Sequence, residues 1–402
     1  MVKRILIVHN RYQRAGGEDR VVEAEAALLR KHGHEVFLYI DDNDRIDEIP
    51  KWKTALRTIW SSESYRKLGA VIRENRIELC HFHNTFPLIS PAGYYAAKQA
   101  GVPVVQTLHN YRLLCPGSLL MREGRICETC VGRTVVWPGV AHRCYRDSYA
   151  ASTVTAAAIT AHKLSGTWSR RVDCYVALGE FGRRKFIEGG LPAAKIAVKP
   201  NFLDPDPGGG DGRGGYALFV GRLSPEKGIA TLLKAWSNHP EFPILHIAGG
   251  GPLAPAVQEA ASRNAHVRWL GQLSSAETLE QMRGARFLVC ASTWYECFPL
   301  VIVEAFASGL PVIASNLGAL AELIAPEKTG LLFTPGSAPD LAAKVQWALA
   351  HDESLQQMRC NVRLEYEQRY TARNNYEILS SIYDGVQMRM QAPSAGAHSA
   401  AA

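Results

Sequence analysis

Arg286-Phe-Leu-Val-Cys-Ala291, continued by Trp294-Tyr-Glu-Cys-Phe-Pro-Leu-Val-Ile-Val-Glu304, is the stretch whose reading decides the fold. The first six residues form a short apolar run, the pattern of a strand buried on both faces. The chain then breaks into a loop carrying Glu296. Pro299 suits the first position of a helix, where its missing N–H is no loss. That helix is expected to run to Ser308 and stop at Gly309. Strand, loop and helix make half of a βαβ unit, with Glu296 beyond the strand's carboxyl end and Glu304 inside an almost wholly apolar helix. A carboxylate among Val301, Ile302, Val303, Ala305 and Phe306 is expensive unless partnered.

Working outward, the same alternation repeats along the chain. Strands are expected at Arg4–His9, Glu35–Ile40, Ile77–Phe82, Val102–Thr107, Val172–Leu178 and Lys195–Lys199, with helices at Gly17–Lys31 and about Ala92–Gln99. A second set follows at Tyr216–Val220, Pro243–Ala248, His266–Leu270, Arg286–Ala291, Pro311–Ser315 and Gly330–Phe333, and helices near Pro339–Ala350 and Asn374–Met390 close the chain. Short apolar strands alternating with helices mean parallel sheets. Between the two sets, residues 201–215 are rich in Gly, Pro and Asp and read as a linker. The expected architecture is α/β, with two doubly wound Rossmann-like domains facing across a cleft. Residues 1–200 form the first, with a Cys-bearing insertion at about 111–150, and residues 216–370 the second. A helix at 371–390 packs back on the first domain, and 391–402 is an Ala/Ser/Gly tail expected to be disordered. Ligands of such sheets bind beyond the carboxyl ends of the strands.

A length of 402 residues allows two such domains, and a net charge of +7 favours anionic partners without choosing among them. The amino-terminal apolar run is too short for a secretory signal, and no run approaches a membrane-spanning helix. The expected location is cytoplasmic, with any membrane contact peripheral on the inner face. No nucleic-acid partner is expected.

Gly221-Arg-Leu-Ser-Pro-Glu-Lys-Gly228 directly follows the first strand of the second set. Ser224 and Pro225 read as the start of a helix. Arg222 and Lys227 lie where the helix end is already electropositive, so together with free N–H groups they form an anion trap suited to a diphosphate. Solvated cations at a helix end are the plain alternative. Gly16-Gly17 in Ala15-Gly-Gly-Glu18, and Gly251 in Gly249-Gly-Gly-Pro252, mark places where backbone could approach a phosphate or sugar, or simply turn. Neither glycine run is a dinucleotide fingerprint, since neither spells G-x-G-x-x-G, and the one such string, Gly210–Gly215, lies in the linker rather than between a strand and a helix. His109, in Thr107-Leu-His-Asn-Tyr111, follows a buried strand and is a catalytic candidate or a satisfied polar residue; His83, in His81-Phe-His-Asn84, has a similar place.

A Gly-Gly loop, a His after a first-domain strand, a G-R-x-x-x-E-K-G loop and a Glu-x7-Glu run, in that order, resemble the family 4 retaining glycosyltransferases of GT-B fold. The likeness runs from about Ile5 to Tyr383. It implies transfer of a hexosyl-type sugar from a nucleotide-sugar, most readily a UDP- or GDP-sugar, to a glycan or lipid-linked acceptor hydroxyl. The setting implied is surface polysaccharide or glycolipid assembly. Arg222 and Lys227 would hold the diphosphate, Glu296 the sugar hydroxyls and Glu304 the ribose. His109 would lie beside the transferred sugar, Gly16, Gly17 and Gly251 beside the donor, and the backbone of Phe298 and Leu300 would donate to its oxygens. His109, Glu296, Arg222 and Lys227 would act on the transfer itself, without a metal cofactor. Many relatives have Gly where this chain has Cys297. An epimerase-like enzyme of the same architecture and a non-catalytic nucleotide-sugar-binding protein are the rivals.

Two features lie outside that resemblance. Cys115-x11-Cys127-x2-Cys130-x13-Cys144 groups four of nine cysteines with one C-x-x-C pair, a spacing fit for a structural zinc or for free thiols in an irregular loop. Lys51-Trp-Lys-Thr-Ala-Leu-Arg-Thr-Ile-Trp60 mixes cations and aromatics. It is expected either to rest on an anionic membrane or to pack Leu56, Ile59 and Trp60 into its own domain.

Overall fold

The computed structural model describes residues 2–13 and 16–391. Ala15 and the tail 392–402 lie outside the described residues. Chain order gives β1 (Arg4–Arg11), β2 (Glu35–Asp42), β3 (Leu79–Phe82), β4 (Val104–Leu108), a small hairpin of β5 (Met121–Arg122) and β6 (Arg125–Ile126), then β7 (Cys174–Ala177) and β8 (Ile196–Val198). The second set is β9 (Ala217–Val220), β10 (Leu245–Ala248), β11 (Val267–Gly271), β12 (Phe287–Cys290), β13 (Val312–Ser315) and β14 (Gly330–Phe333).

These make two six-stranded sheets, ordered β2-β1-β3-β4-β7-β8 and β11-β10-β9-β12-β13-β14, with every pairing parallel. Parallel sheets need helices on both faces, which is why their central strands are apolar throughout; β3, β4, β7, β12 and β13 are wholly buried. The second sheet has the doubly wound order in which direction reverses between β9 and β12. The loops leaving those two strands carry Arg222, Lys227 and Glu296. In the first sheet the reversal falls between β1 and β3, whose loops carry Gly16, Gly17 and His83. Both switch points therefore face the cleft.

The last helix, Ala372–Gln391, returns to the first domain. Leu379, Tyr383 and Val386 pack with Ile5, Ile7, Leu79 and Val105, and the Tyr383 hydroxyl lies 2.7 Å from His81 Nδ1. On the second domain, Glu322 accepts the N–H of Glu180 at 2.7 Å and that of Phe181, capping a first-domain helix.

Two local expectations are corrected. Pro299 is the residue before the helix Leu300–Ala307, in the extended conformation usual for a capping residue with ψ 106°, and its carbonyl accepts the N–H of Ile302 at 3.0 Å. The α-helix after β9 starts at Ile229; Pro225–Lys227 is a single 3₁₀ turn ended by Gly228 at φ 72°. A Cβ on Gly228 would collide with the carbonyl of Ala291. The two switch-point loops are packed too tightly there for the α-helix to begin earlier.

Candidate active site

Glu296 is the centre of the second-domain site. Its Oε1 accepts from Lys227 Nζ at 2.6 Å, Ser292 Oγ at 2.8 Å and Trp294 Nε1 at 3.0 Å, and the residue is buried. A buried carboxylate needs such partners to stay charged. Lys227 also lies 5.5 Å from the Trp294 ring. The loops are stitched by the Thr293 N–H to the Glu226 carbonyl at 2.8 Å, which fixes Lys227 against Glu296. Arg222 is exposed, and its guanidinium makes no hydrogen bond or ion pair among the described residues. Gly251 is required by protein rather than by ligand. A Cβ there would strike the backbone of Leu223, and Leu223 N–H bonds to the Gly250 carbonyl at 2.9 Å.

Glu304 is buried, and its Oε1 accepts from Arg20 Nη2 at 2.8 Å. Arg20 belongs to the first-domain helix Gly17–Lys31, so this bond crosses the cleft. Gly17 lies there too, since its Cβ would meet Leu300 Cδ1 at 3.2 Å. Leu300 opens its helix and has no carbonyl one turn back for its N–H. Phe298 packs on Tyr370, centroids 6.2 Å apart. Cys297 turns its sulfur into the first domain's apolar cluster, near Tyr111, and burial pushes its thiol far up.

The first-domain wall is a chain of histidines. His109 follows β4, and its Nε2 lies 2.9 Å from His83 Nδ1 with the rings stacked. His83 Nε2 faces Glu25 Oε1 at 3.4 Å. Glu25 also meets His81 Nδ1 at 2.9 Å and Lys199 Nζ at 2.9 Å, all fully buried. A carboxylate beside His83 Nε2 favours the proton there. Nδ1 then accepts from His109, and His109 Nδ1 is left as that ring's free acceptor. Burial, then repulsion from His81, lowers His83 to about 3. Burial, then His83, lowers His109 well below the usual histidine range. Burial raises Glu25, but Lys199 and His81 outweigh it and hold it well below a normal carboxylate. Glu25, His81 and His83 are the one group among the described residues whose donor atoms lie within 4.8 Å of one another. The Lys199 ammonium already supplies the counter-charge a metal would bring, and His81 Nε2 is held by Thr107 at 2.7 Å.

At the helix start beside Gly17, Glu18 Oε2 accepts from the Tyr12 hydroxyl at 3.0 Å, while Oε1 has no hydrogen-bond partner and lies 4.0 Å from the equally unpartnered His9 Nδ1. Burial pushes Glu18 up to about 7, against the pull of His9. Gly16 donates its N–H to Asp19 at 2.8 Å. The sequence reading missed Arg20, Glu18, Glu25 and Lys199. Only the buried position of Glu25 on the Val22–Ala26–Leu29 face of its helix was a usable signal.

Two parallel-sheet domains with paired charges at facing switch points define the GT-B glycosyltransferase class. The chain belongs to family 4 of the glycosyltransferases: residues 15–207 match the family described as Glycosyltransferase Family 4, and residues 206–365 the one described as Glycosyl transferases group 1. Among its relatives, a phosphatidyl-myo-inositol mannosyltransferase of Mycolicibacterium smegmatis is 27% identical over 356 residues, covering 84% of this chain and 82% of that protein. A D-inositol 3-phosphate glycosyltransferase of Rhodococcus erythropolis is 28% identical over 276 residues, 66% of this chain and 58% of that one. The fold matches Anabaena HepE in complex with UDP, with TM-score 0.67 and 17% identity over 95% of this chain and 100% of that one. It also matches sucrose-phosphate synthase of Thermosynechococcus elongatus, with TM-score 0.71 and 18% identity over 96% and 100%.

Proposed function

We propose that this glycosyltransferase moves a sugar from a nucleoside-diphosphate sugar, a UDP- or GDP-sugar, to a hydroxyl of a glycan or lipid-linked acceptor, with retention at the anomeric carbon. The carrying observation is the charge set at the second sheet's switch point: Lys227 held 2.6 Å from Glu296, with the unpaired Arg222 beside it. Cleaving a nucleotide-sugar builds positive charge on the sugar carbon and negative charge on the diphosphate. Arg222 and Lys227 stabilise that leaving group, so the transfer itself needs no metal. The three donors to Glu296 all fall on Oε1, which leaves Oε2 for sugar hydroxyls. Glu304 takes the ribose, the N–H groups of Gly17, Phe298 and Leu300 take donor oxygens, Gly16 and Gly251 shape the backbone beside the donor through their own protein contacts, and His109 borders the sugar. The acceptor attacks from the face the diphosphate leaves, and the diphosphate takes its proton. The names of the mannosyl- and inositol-phosphate-directed relatives support a role in surface polysaccharide or glycolipid assembly.

The enzyme's peripheral contact with an anionic membrane belongs to the same reading. The helix Lys51–Ile59 exposes Trp52 (64%) and Leu56 (60%), with Trp60 (40%) just beyond and Lys51 and Lys53 beside them. No helix among the described residues is long and apolar enough to cross a membrane.

A thermal-shift screen against UDP-, GDP-, ADP- and dTDP-sugars tests the donor class, because a ligand of the folded state raises its melting temperature. One series should stabilise the protein and lose its effect in Lys227→Ala. Proton NMR of the product then reads the anomeric configuration. Inversion, or a trapped glycosyl-enzyme, would overturn the transfer proposed.

A further inference from the structure

The segment between Tyr111 and Tyr149 is not needed to complete either sheet, yet it is built around its cysteines. Cys115, Cys127, Cys130 and Cys144 line one small cavity together with His142, and none is in a disulfide. They arrive from separate pieces of chain. Cys115 sits in a turn, its N–H bonded to the Tyr111 carbonyl at 2.9 Å. The β5–β6 hairpin delivers Cys127, whose N–H bonds to Leu120 at 2.8 Å, and a turn brings Cys130. Cys144 follows a one-turn helix and bonds to the Gly139 carbonyl at 2.9 Å. Those pieces pack closely on one another. A Cβ on Gly117 would meet the Cys144 carbonyl at 2.9 Å, and one on Gly139 would meet Pro116 Cγ at 2.5 Å.

Leu114, Cys115 and Leu120 root the start of this segment in the first domain's core, but its outer part has little to hold it in shape. Its satellite apolar cluster is Cys130, Val136, Ala156 and Ile159, with Val140 against it, while Val135 and Trp137 are exposed. Of the nine described non-glycine residues with positive φ, six fall here: Ser118, Leu120, Glu123, Arg143, Arg146 and Asp147. Such left-handed residues persist only where their surroundings over-determine them. An outer part this irregular, with only the satellite cluster for a core, calls for a cross-link, and the cavity offers four thiols for one.

We propose that Cys115, Cys127, Cys130 and Cys144 bind a single structural zinc ion. Binding forms four S–Zn bonds and releases four thiol protons to solvent. Four thiolates on one zinc stand about 3.8 Å apart, from Zn–S distances of about 2.3 Å. In this structure no three of the sulfurs lie within 4.8 Å of one another, and Cys127 Sγ is turned to Thr129 Oγ1 at 3.2 Å. The ion therefore draws the sulfurs together and takes Cys127 from that hydroxyl. The consequence reaches the active site. Glu128, inside the C-x-x-C pair, binds Lys185 at 2.9 Å, and the Lys185 ammonium lies 5.8 Å from the ring of Tyr295, the neighbour of Glu296. The zinc holds the first-domain wall against which the Glu296 loop rests.

The test is elemental analysis of the full chain, expressed in zinc-replete medium and purified without chelator. One zinc per chain is expected, released by a mercurial in step with the titration of four thiols. The double variant Cys127→Ser/Cys130→Ser should lose the zinc, while Cys360→Ser, at an exposed free thiol, should keep it. If the double variant fails to fold, cobalt substitution of the natural chain decides. An intense thiolate-to-cobalt charge-transfer band with tetrahedral ligand-field bands supports the site, and their absence overturns it. Protein without zinc, protein holding iron instead, or a folded double variant that retains one zinc would each overturn it.

Discussion

Arg20 Nη2 and Glu304 Oε1 stand 2.8 Å apart across the interdomain cleft, joining residues 284 positions apart in the chain. Glu304 is buried and Arg20 is 49% exposed, so the bond is screened on one side and contributes about 1 kcal/mol to closure. Arg20→Ala should widen the ligand-free molecule, seen as a larger radius of gyration in small-angle scattering. Glu304→Gln should do the same and also weaken donor binding by roughly tenfold, the scale of one charged hydrogen bond. An unchanged scattering profile in both variants would mean that other contacts, such as Glu322 on Glu180, close the cleft.

Lys227 and Arg222 differ in what binds them now, and their variants should differ as well. Lys227→Ala removes the proposed leaving-group cation and also leaves Glu296 buried with only Ser292 and Trp294 as partners. It should lower kcat/KM by about a hundredfold or more. Arg222→Lys keeps the charge but not the two-pronged donor geometry and should cost less than Arg222→Ala. Steady-state kinetics on the donor identified by the thermal screen checks both. Equal kinetics for Arg222→Ala and the natural enzyme would remove Arg222 from the site.

His83 and His109 should stay neutral through the physiological range. The folded-state value of His83, about 3, lies below its unfolded value, so its contribution is whole above about pH 6.5 and is lost as pH falls toward 3. His109 is shifted in the same direction. NMR of the two imidazole rings between pH 5.5 and 8.5 should show neither titrating. A midpoint near 6.5 for His109 would make it an ionising group in the active site and would contradict the buried neutral pair.

What could be read from the chain and what could not divides along sequence distance. The twelve strands of the two sheets were legible as short apolar runs, which the central ones must be because they are buried on both faces. Glu304 was legible because a carboxylate in an apolar helix demands a partner. The partner was not, since nothing local marks Arg20 as reaching the other domain. Lys199 and Glu25 form a fully buried pair 174 positions apart; Lys199 alone reads as an ordinary surface charge, and only the helix face of Glu25 hints at its burial. Helices Tyr149–Leu164 and Asp352–Arg369 escaped notice for opposite reasons. The first is dominated by Ala and Thr, which give little polar contrast, and the second is mostly polar or charged, with only Leu355, Met358, Val362 and Tyr366 as a sparse apolar stripe. The start of the helix at Ile229 turned on the contact of Gly228 with the Ala291 carbonyl, a tertiary fact.

The exposed face of Lys51–Ile59 tests the membrane reading. Leu56 was a candidate for the domain's interior and instead points outward, as does Trp52. Arg57 is committed to Asp41 at 3.4 Å and Glu63 at 3.0 Å, so Lys51 and Lys53 are the helix's cations free for a lipid headgroup. Trp52→Ala/Leu56→Ala should abolish flotation with anionic phosphatidylglycerol vesicles while leaving the melting temperature within a degree or two, since exposed side chains contribute little to folding. Flotation of the natural chain with neutral vesicles only, or with none, would remove the membrane from the proposed function.

Glu18 gives a prediction with a definite sign. Its folded-state value of about 7 lies above the unfolded 4.5, so the folded protein holds a proton that the unfolded chain has released between those values. Stability from this group therefore falls as pH rises from 4.5 to 7 and is flat on either side, by up to about 3 kcal/mol. His83 tilts the natural enzyme the opposite way below 6.5, so the difference between Glu18→Gln and the natural enzyme isolates the carboxyl. Urea unfolding at pH 4.5, 5.5 and 7 should show the variant gaining on the natural enzyme as pH rises. A constant difference across that range would mean that His9, 4.0 Å from Glu18 Oε1, already holds the carboxyl ionised.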